Sequence, residues 1–342
     1  MSIGERIKQA RKANNLSLRK LAEKIGVSAM AISKYERDLD VPGSGVLLRL
    51  SQALNVKLDF FFRPNVVSVQ LQAYRKHASL GVKAQETIQM RIQDWVERYI
   101  EVENLFPEEK HKEILPQYTV NTLHEIEDVA LKLRNHWHLG NDAIENLVQL
   151  LEDRGIKVGI VAGFDHFDAC TFKVDGDAVI VTKEELSGDR QRFNLGHELG
   201  HLVLAVQVDL KVEQAANRFV GAFLVPAETA RFELGSSRSD LDINELYMLK
   251  QKYGLSMQAW IYRAKDLEII SENTSTRLFQ QFRSNGWYRQ EPGRPYPPET
   301  PMRMERLVYR ALAEDMISRS RAQELLGKPL QPSWELEALQ HN

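Results

Sequence analysis

His197-Glu198-Leu199-Gly200-His201 lies inside a run of helical periodicity through 190–206. On a helix, positions i and i+4 face the same way, so both imidazoles point at one spot. Two ring nitrogens with bonds of about 2.0–2.1 Å suit zinc, and Glu198 can reach a water on that metal and take its proton. A catalytic zinc takes three protein ligands and keeps a fourth position open, so a further donor is expected on another element. Glu213 is the first candidate, because it begins the apolar helical stretch Glu213–Leu224, whose small residues allow close approach to the histidine helix. A carboxylate buried there would call for a metal partner. Glu228 is the second candidate.

Outward from this helix the period changes. Val158–Val161, Ala169–Phe172 and Ala178–Val181 are short β-branched or apolar runs separated by Gly and Asp turns, which predicts three strands of a small sheet. Helical periodicity precedes them at Leu123–Trp137 and at Ala143–Arg154, where Gly155 stops it, after a polar break at Pro116–Thr122. It follows them at 210–224, ending at Pro226, and at about 243–253, 256–268, 274–284, 302–315 and 318–326. A Pro-rich loop, Glu291–Pro301, precedes the last two helices.

The first 62 residues are helical throughout: Ile3, Ile7 and Ala10 share a face, as do Leu21, Ala22 and Ile25, then Ala31, Ile32 and Tyr35, then Leu47, Leu50 and Leu54. Ser17 and Ser28 stand at N-cap positions, and Gly26 stands where the preceding helix must turn through a left-handed conformation. This is the punctuation of a helix-turn-helix, ended by Pro64. Ala84–Val102 then reads as one long amphipathic helix stopping before Pro107, a spacer or a dimer contact.

The fold class is mainly α with a small sheet (α+β). Expected units are a lambda-repressor-like helical domain over 1–65, a helical linker over 66–120, a zincin-like domain over 121–268 and a helical C-terminal region over 269–342. The length of 342 residues fits two or three domains. Hydrophobic residues at 43%, charged residues at 27% and the lack of a long apolar run argue against a membrane span. Cys170 is the only cysteine, which excludes an intrachain disulfide. With no apolar signal stretch at the N-terminus, a cytoplasmic location is expected. The net charge of −2 hides an asymmetry: residues 1–63 carry 12 Lys+Arg against 6 Asp+Glu, net +6, and the remainder is net −8. A basic head on an acidic body suggests double-stranded DNA as a partner.

Two resemblances join these observations. Arg190–Gly196 before the histidine string, with Glu213-Gln214-Ala215-Ala216-Asn217-Arg218-Phe219-Val220-Gly221-Ala222-Phe223-Leu224-Val225-Pro226 after it, resembles the ImmA/IrrE metallopeptidases. The resemblance implies zinc held by His197, His201 and Glu213, Glu198 as general base, and Asn217 near the metal. Asn194 and Gly196 stand where Thr and Ala are commoner. Ala178–Val181 resembles the edge strand on which such peptidases lay an extended substrate. The N-terminal module resembles the XRE, or lambda-type repressor, helix-turn-helix. That likeness would place the second helix of the pair in the major groove, with Ser17, Arg19, Ser28, Ala29, Met30, Ser33, Lys34 and Arg37 at the DNA. Leu18 and Met30 stand where glutamines are frequent, which removes one bidentate readout and one phosphate contact. The implied protein substrate is an XRE-type repressor or this chain itself. Domains of this type commonly dimerise to read two half-sites.

Asp165, His166 and Asp168 sit in a strand-linking turn that could border the cleft, while Tyr247, Tyr253, Trp260 and Tyr262 are either core residues or oxyanion donors. The combined expectation is a DNA-binding regulator with zinc peptidase activity. Two alternatives stay open: a non-catalytic zinc sensor, and an antitoxin-like binding protein.

Overall fold

The computed structural model describes residues 2–63, 69–71, 82–110, 114–163, 167–174, 176–207 and 210–330. Helices α1 (Ile3–Ala13), α2 (Leu18–Ile25), α3 (Ala29–Glu36) and α4 (Ser44–Leu54), with a 3₁₀ turn at Leu58–Phe62, enclose a core of Ile7, Leu21, Ile25, Ile32, Leu50, Leu54 and Phe61. The Ser17 hydroxyl accepts from Lys20 N–H and that of Ser28 from Ala31 N–H, each capping a helix start. Gly26 has φ +69° and its N–H donates to Ala22 O, so a residue that tolerates the left-handed region turns α2 into α3. Pro64 lies outside the described residues.

Helix α5 (Val82–Glu103) is the long amphipathic helix expected at Ala84–Val102, and its apolar residues Ile88, Ile92, Val96 and Val102 are buried within the fold. Ile88, Ile92 and Val96 pack on the sheet residues Phe172, Val174, Val179 and Val181. Val102, with Phe106, packs on Leu307 and Val308 of α14 (Arg303–Ala313) and on Ala322 and Leu325 of α15 (Arg319–Leu326). Glu97 meets Arg6 of α1 in an ion pair whose side chains are 7% and 1% exposed. One helix thereby ties the N-terminal module, the sheet and the C-terminal helices together.

The strands are β1 (Val69–Leu71), β2 (Tyr118–Val120), β3 (Lys157–Val161), β4 (Ala169–Val174), β5 (Asp177–Lys183) and β6 (Leu204–Val206). The main sheet has the order β1-β4-β5-β3, with β3 parallel to β5, β4 antiparallel to β5 and β1 antiparallel to β4. The three expected strands are present, but Ala178–Val181 is not an edge. It lies inside the sheet, paired with β3 on one side and β4 on the other, and both of its faces are buried: Ala178 and Ile180 join the core with Leu195 and Leu199, while Val179 and Val181 face Ile88, Ile92 and Val96. Tyr118–Val120, within the expected polar break, pairs in parallel with Leu204–Val206, so the histidine helix stops at Val203 rather than running to 206.

The main core gathers α6 (Glu125–His136), α7 (Leu147–Asp153), α8 (Gly188–Val203), α9 (Val212–Leu224), α10 (Ala227–Leu234), α11 (Ile243–Tyr253), α12 (Met257–Asp266) and α13 (Glu272–Ser284). Buried cations inside it are matched. Arg263 meets Glu127 with two bonds, the longer 2.7 Å, and Arg134 donates to the Gly140, Phe223 and Asp142 carbonyls. The Pro-rich loop packs on the start of α8, where Gly188 N–H donates to Tyr296 O at 2.8 Å and Arg192 pairs with Glu299. Among the described residues no helix is long and apolar enough to cross a membrane.

Candidate functional site

Helix α8 carries His197, Glu198 and His201, and α9 crosses it closely enough that glycines are needed at the contact. A methyl group at Gly196 would stand 2.5 Å from Val220 Cγ2, and one at Gly200 3.1 Å from Phe219 Cδ1 and 3.3 Å from Ala216 Cα. The small residues noticed along α9 therefore meet small residues on α8. This approach brings the start of α9 to the histidines.

The two histidine Nε2 atoms are 3.0 Å apart. Glu213 Oε2 lies 3.3 Å from His197 Nε2, and Oε1 3.8 Å from His201 Nε2. Tetrahedral zinc with bonds of about 2.0–2.1 Å sets its donors about 3.3 Å apart, a spacing that these three distances bracket. Asn217, one turn after Glu213, places Oδ1 2.9 Å from His197 Nδ1. With Nδ1–H donating there, His197 Nε2 keeps its lone pair for a metal, which is the usual role of such an outer partner. The donor set fits zinc.

Glu198 is buried, and its Oε2 accepts from Thr171 Oγ1 at 2.7 Å. His197, Glu198 and His201 can bring one ligand atom each within 4.8 Å of one another. Thr171 sits on β4, and sequence reasoning missed it, since a threonine in an apolar strand carries no signal of its own. Phe193, one turn before His197, lies roughly parallel to its ring at 6.5 Å between centroids. Cys170 is a buried core residue; burial, with Glu198 nearby, pushes its thiol well above the ordinary range. The carboxylate of Glu213 differs from expectation: its side chain is 42% exposed, although Oε2 itself is sealed from solvent.

Other candidates fall elsewhere. Glu228 is exposed on α10 and accepts from Asn141 at 2.8 Å. Asp168 pairs with Arg190 on the surface, whereas Asp165 and His166 lie outside the described residues. The Tyr253 hydroxyl donates to Glu233, and burial together with that carboxylate pushes it up to about 12. Trp260 is buried in the core, Tyr262 contacts Phe279 and Tyr247 packs half-buried against the core.

In the N-terminal module Ser17, Arg19, Ser28, Met30, Lys34 and Arg37 are exposed and Ala29 and Ser33 half-buried. Part of the basic excess points the other way. Arg6 pairs with Glu97, Lys12 with Glu86, and Lys57 and Arg63 with Glu324, all on the body of the protein.

The structure sets a helix-turn-helix module beside a body that carries the histidine cluster, and comparison with known families finds a match in each. Residues 7–61 match the helix-turn-helix family model, and residues 161–265 match that of the IrrE N-terminal-like domain. The HTH-type transcriptional regulator ImmR of Bacillus subtilis is 37% identical over 68 residues, which are 20% of this chain and 54% of the relative. An HTH-type transcriptional regulator of Sinorhizobium fredii is 35% identical over 68 residues, 20% of this chain and 48% of its own length. A transcriptional regulator in the ATPase CF(0) region of Rhodospirillum rubrum is 40% identical over 60 residues, covering 18% and 56%. The chain spans about half the length of the curated relatives it matches. Residues 7–61 are thus similar to XRE-type helix-turn-helix domains, and residues 161–265 to IrrE/ImmA-like peptidase domains.

Proposed function

We propose that this chain is a cytoplasmic, DNA-binding transcriptional regulator that also acts as a zinc-dependent endopeptidase on a protein target, either an XRE-type repressor or itself. The observation that carries the reading is the convergence of His197, His201 and Glu213 at separations of 3.0–3.8 Å beside a buried Glu198. His197, His201 and Glu213 would hold a zinc ion, which when bound would supply Lewis acidity and lower the pKa of a water toward about 7. The chain's own groups do the rest. Asn217 holds the His197 ring and its tautomer, Thr171 anchors one oxygen of Glu198, and the Glu198 carboxylate accepts a proton as the scissile carbonyl is attacked and passes it to the leaving amine. In the head, α3 enters the major groove with Ser28, Ala29, Met30, Ser33 and Lys34 toward base edges, while Arg19 and Arg37 take phosphates.

The test pairs metal analysis with a cleavage comparison. Wild type should hold about one zinc per chain. Glu198→Gln should keep the metal while cleavage of a repressor-sized protein falls by roughly 10²–10⁴. The proximity of Glu198 to both histidines favours a second arrangement, a closed, non-catalytic site with Glu198 as a ligand. In that case Glu198→Gln loses zinc and no cleavage differs.

A further inference from the structure

The main sheet has two edges, β1 and β3, and the one next to the site is occupied by the chain itself. Strand β4 carries Thr171, whose hydroxyl is bonded to Glu198. An extended peptide laid along the outer side of β4 is therefore the one that passes the candidate site. On that same side, Val69, Gln70 and Leu71 of β1 pair antiparallel with Val174, Lys173 and Phe172. The register has a direction. As the chain runs from Val69 to Leu71, its partners run from Val174 to Phe172, so β1 leads toward Thr171, the next residue of β4. β1 also belongs to the connector between the helix-turn-helix and α5, two elements held together by the buried Arg6–Glu97 pair.

We propose that β1 is a resident strand on the peptide-docking edge of this protein, a segment of its own chain that an extended protein substrate must displace before it can lie along β4. This rests on the peptidase reading for its purpose, but the docking itself needs no catalysis. Strand addition derives its affinity from main-chain hydrogen bonds, and the outer side of β4 at the three positions paired with β1 is unavailable to a second strand. A tethered strand competes at an effective concentration in the millimolar range, enough to exclude a weak extended ligand. Release of β1 would then set access to the site, and because the connector is anchored at the helix-turn-helix, movement of that module is a route to release.

The test uses the full chain carrying Glu198→Gln, so that no probe is consumed, with and without a broken β1. Successive residues of a strand point their N–H groups to opposite sides, so Val69→Pro and Gln70→Pro between them remove a ladder donor whichever residue faces β4. The probe is a fluorescein-labelled peptide of residues 66–76, read by anisotropy. The expected result is saturable binding to at least one proline variant, tenfold or more tighter than to the parent. Equal affinity for parent and both variants, or binding to none, overturns the proposal. Amide exchange on the unmodified chain is the second measurement and does not depend on the variants folding. Those amides of Phe172–Val174 that face β1 should be as protected as the ones that face β5, and exchange of the β1-facing amides at the rate of an exposed edge would also overturn it. Failure here leaves the zinc and cleavage results standing, whereas failure of the peptidase reading leaves peptide docking intact.

Discussion

Gly196 is the position where the packing of α8 on α9 can be tested most sharply. A methyl group there would stand 2.5 Å from Val220 Cγ2, well inside the roughly 3.5–4.0 Å at which carbons attract. Val220 is fully buried and β-branched, so one χ1 rotamer is strongly preferred and its side chain yields space only at a cost. Overpacking of this kind costs about 1–3 kcal/mol, against a gain of about 1 kcal/mol from replacing a helical glycine by alanine. The net expectation for Gly196→Ala is a loss of about 0–2 kcal/mol. In a Val220→Ala background the obstruction is gone, so the same change should stabilise by about 1 kcal/mol, a coupling of about 1–3 kcal/mol between the two sites. Denaturant unfolding of the four proteins measures it. Relief of the clash by parting the helices also carries His197 away from Glu213, so chelator competition should show zinc bound about tenfold more weakly by Gly196→Ala and restored in the double variant. Additivity within about 0.5 kcal/mol, together with unchanged zinc affinity, would refute the argument that helix contact sets the donor spacing.

Asn217→Ala should weaken zinc binding by about 10–100-fold by freeing the His197 ring, with little change in unfolding midpoint when the metal is removed. Replacing Arg19, Lys34 and Arg37 together by Ala should lower the salt slope of DNA binding by about one for each phosphate no longer neutralised, whereas Lys57→Ala, on a side chain turned toward Glu324, should not; gel shifts across a salt series read both. Glu127 is opposed by burial, but bonds and charge from Arg263 and Arg218 hold its carboxyl below the ordinary 4.5. Its contribution to stability is complete above that value and disappears as pH falls through the lower folded value, so Glu127→Gln should flatten the acid limb of a stability–pH curve. The same change leaves the Arg263 guanidinium buried without its anion, a cost of about 3–5 kcal/mol by denaturant unfolding near pH 7.

The main lines were legible in local sequence because they rest on local physics. Helical periodicity, two serine caps and a left-handed glycine define the helix-turn-helix within some thirty residues, and the i, i+4 spacing of His197 and His201 sets their common direction wherever the helix is placed. The apolar runs at 158–161, 169–172 and 178–181 likewise announce strands before any partner is known. What escaped depends on neighbours distant in the chain. Strand order decides which edge is exposed, and Ala178–Val181 looks the same in sequence whether it lies inside the sheet or at its margin. Leu204–Val206 is a strand only because Tyr118–Val120 lies beside it, and α5 is a spine only because three separate units pack on it.

At the site, sequence alone determined the donor chemistry, since residue type and helical spacing fix which atoms can bind a metal and which direction they share. Tertiary structure alone decided the rest. It brings Glu213 and Asn217 to the histidines through the contact of Gly196 and Gly200 with α9, sets Thr171 against Glu198, turns Arg6, Lys12, Lys57 and Arg63 toward the body, and lays β1 along β4. The physical reason is the range of the forces involved. Caps, periodicity and side-chain direction act within one or two helical turns, whereas close packing, ion pairing and strand pairing join residues whose separation along the chain carries no information about their distance in space.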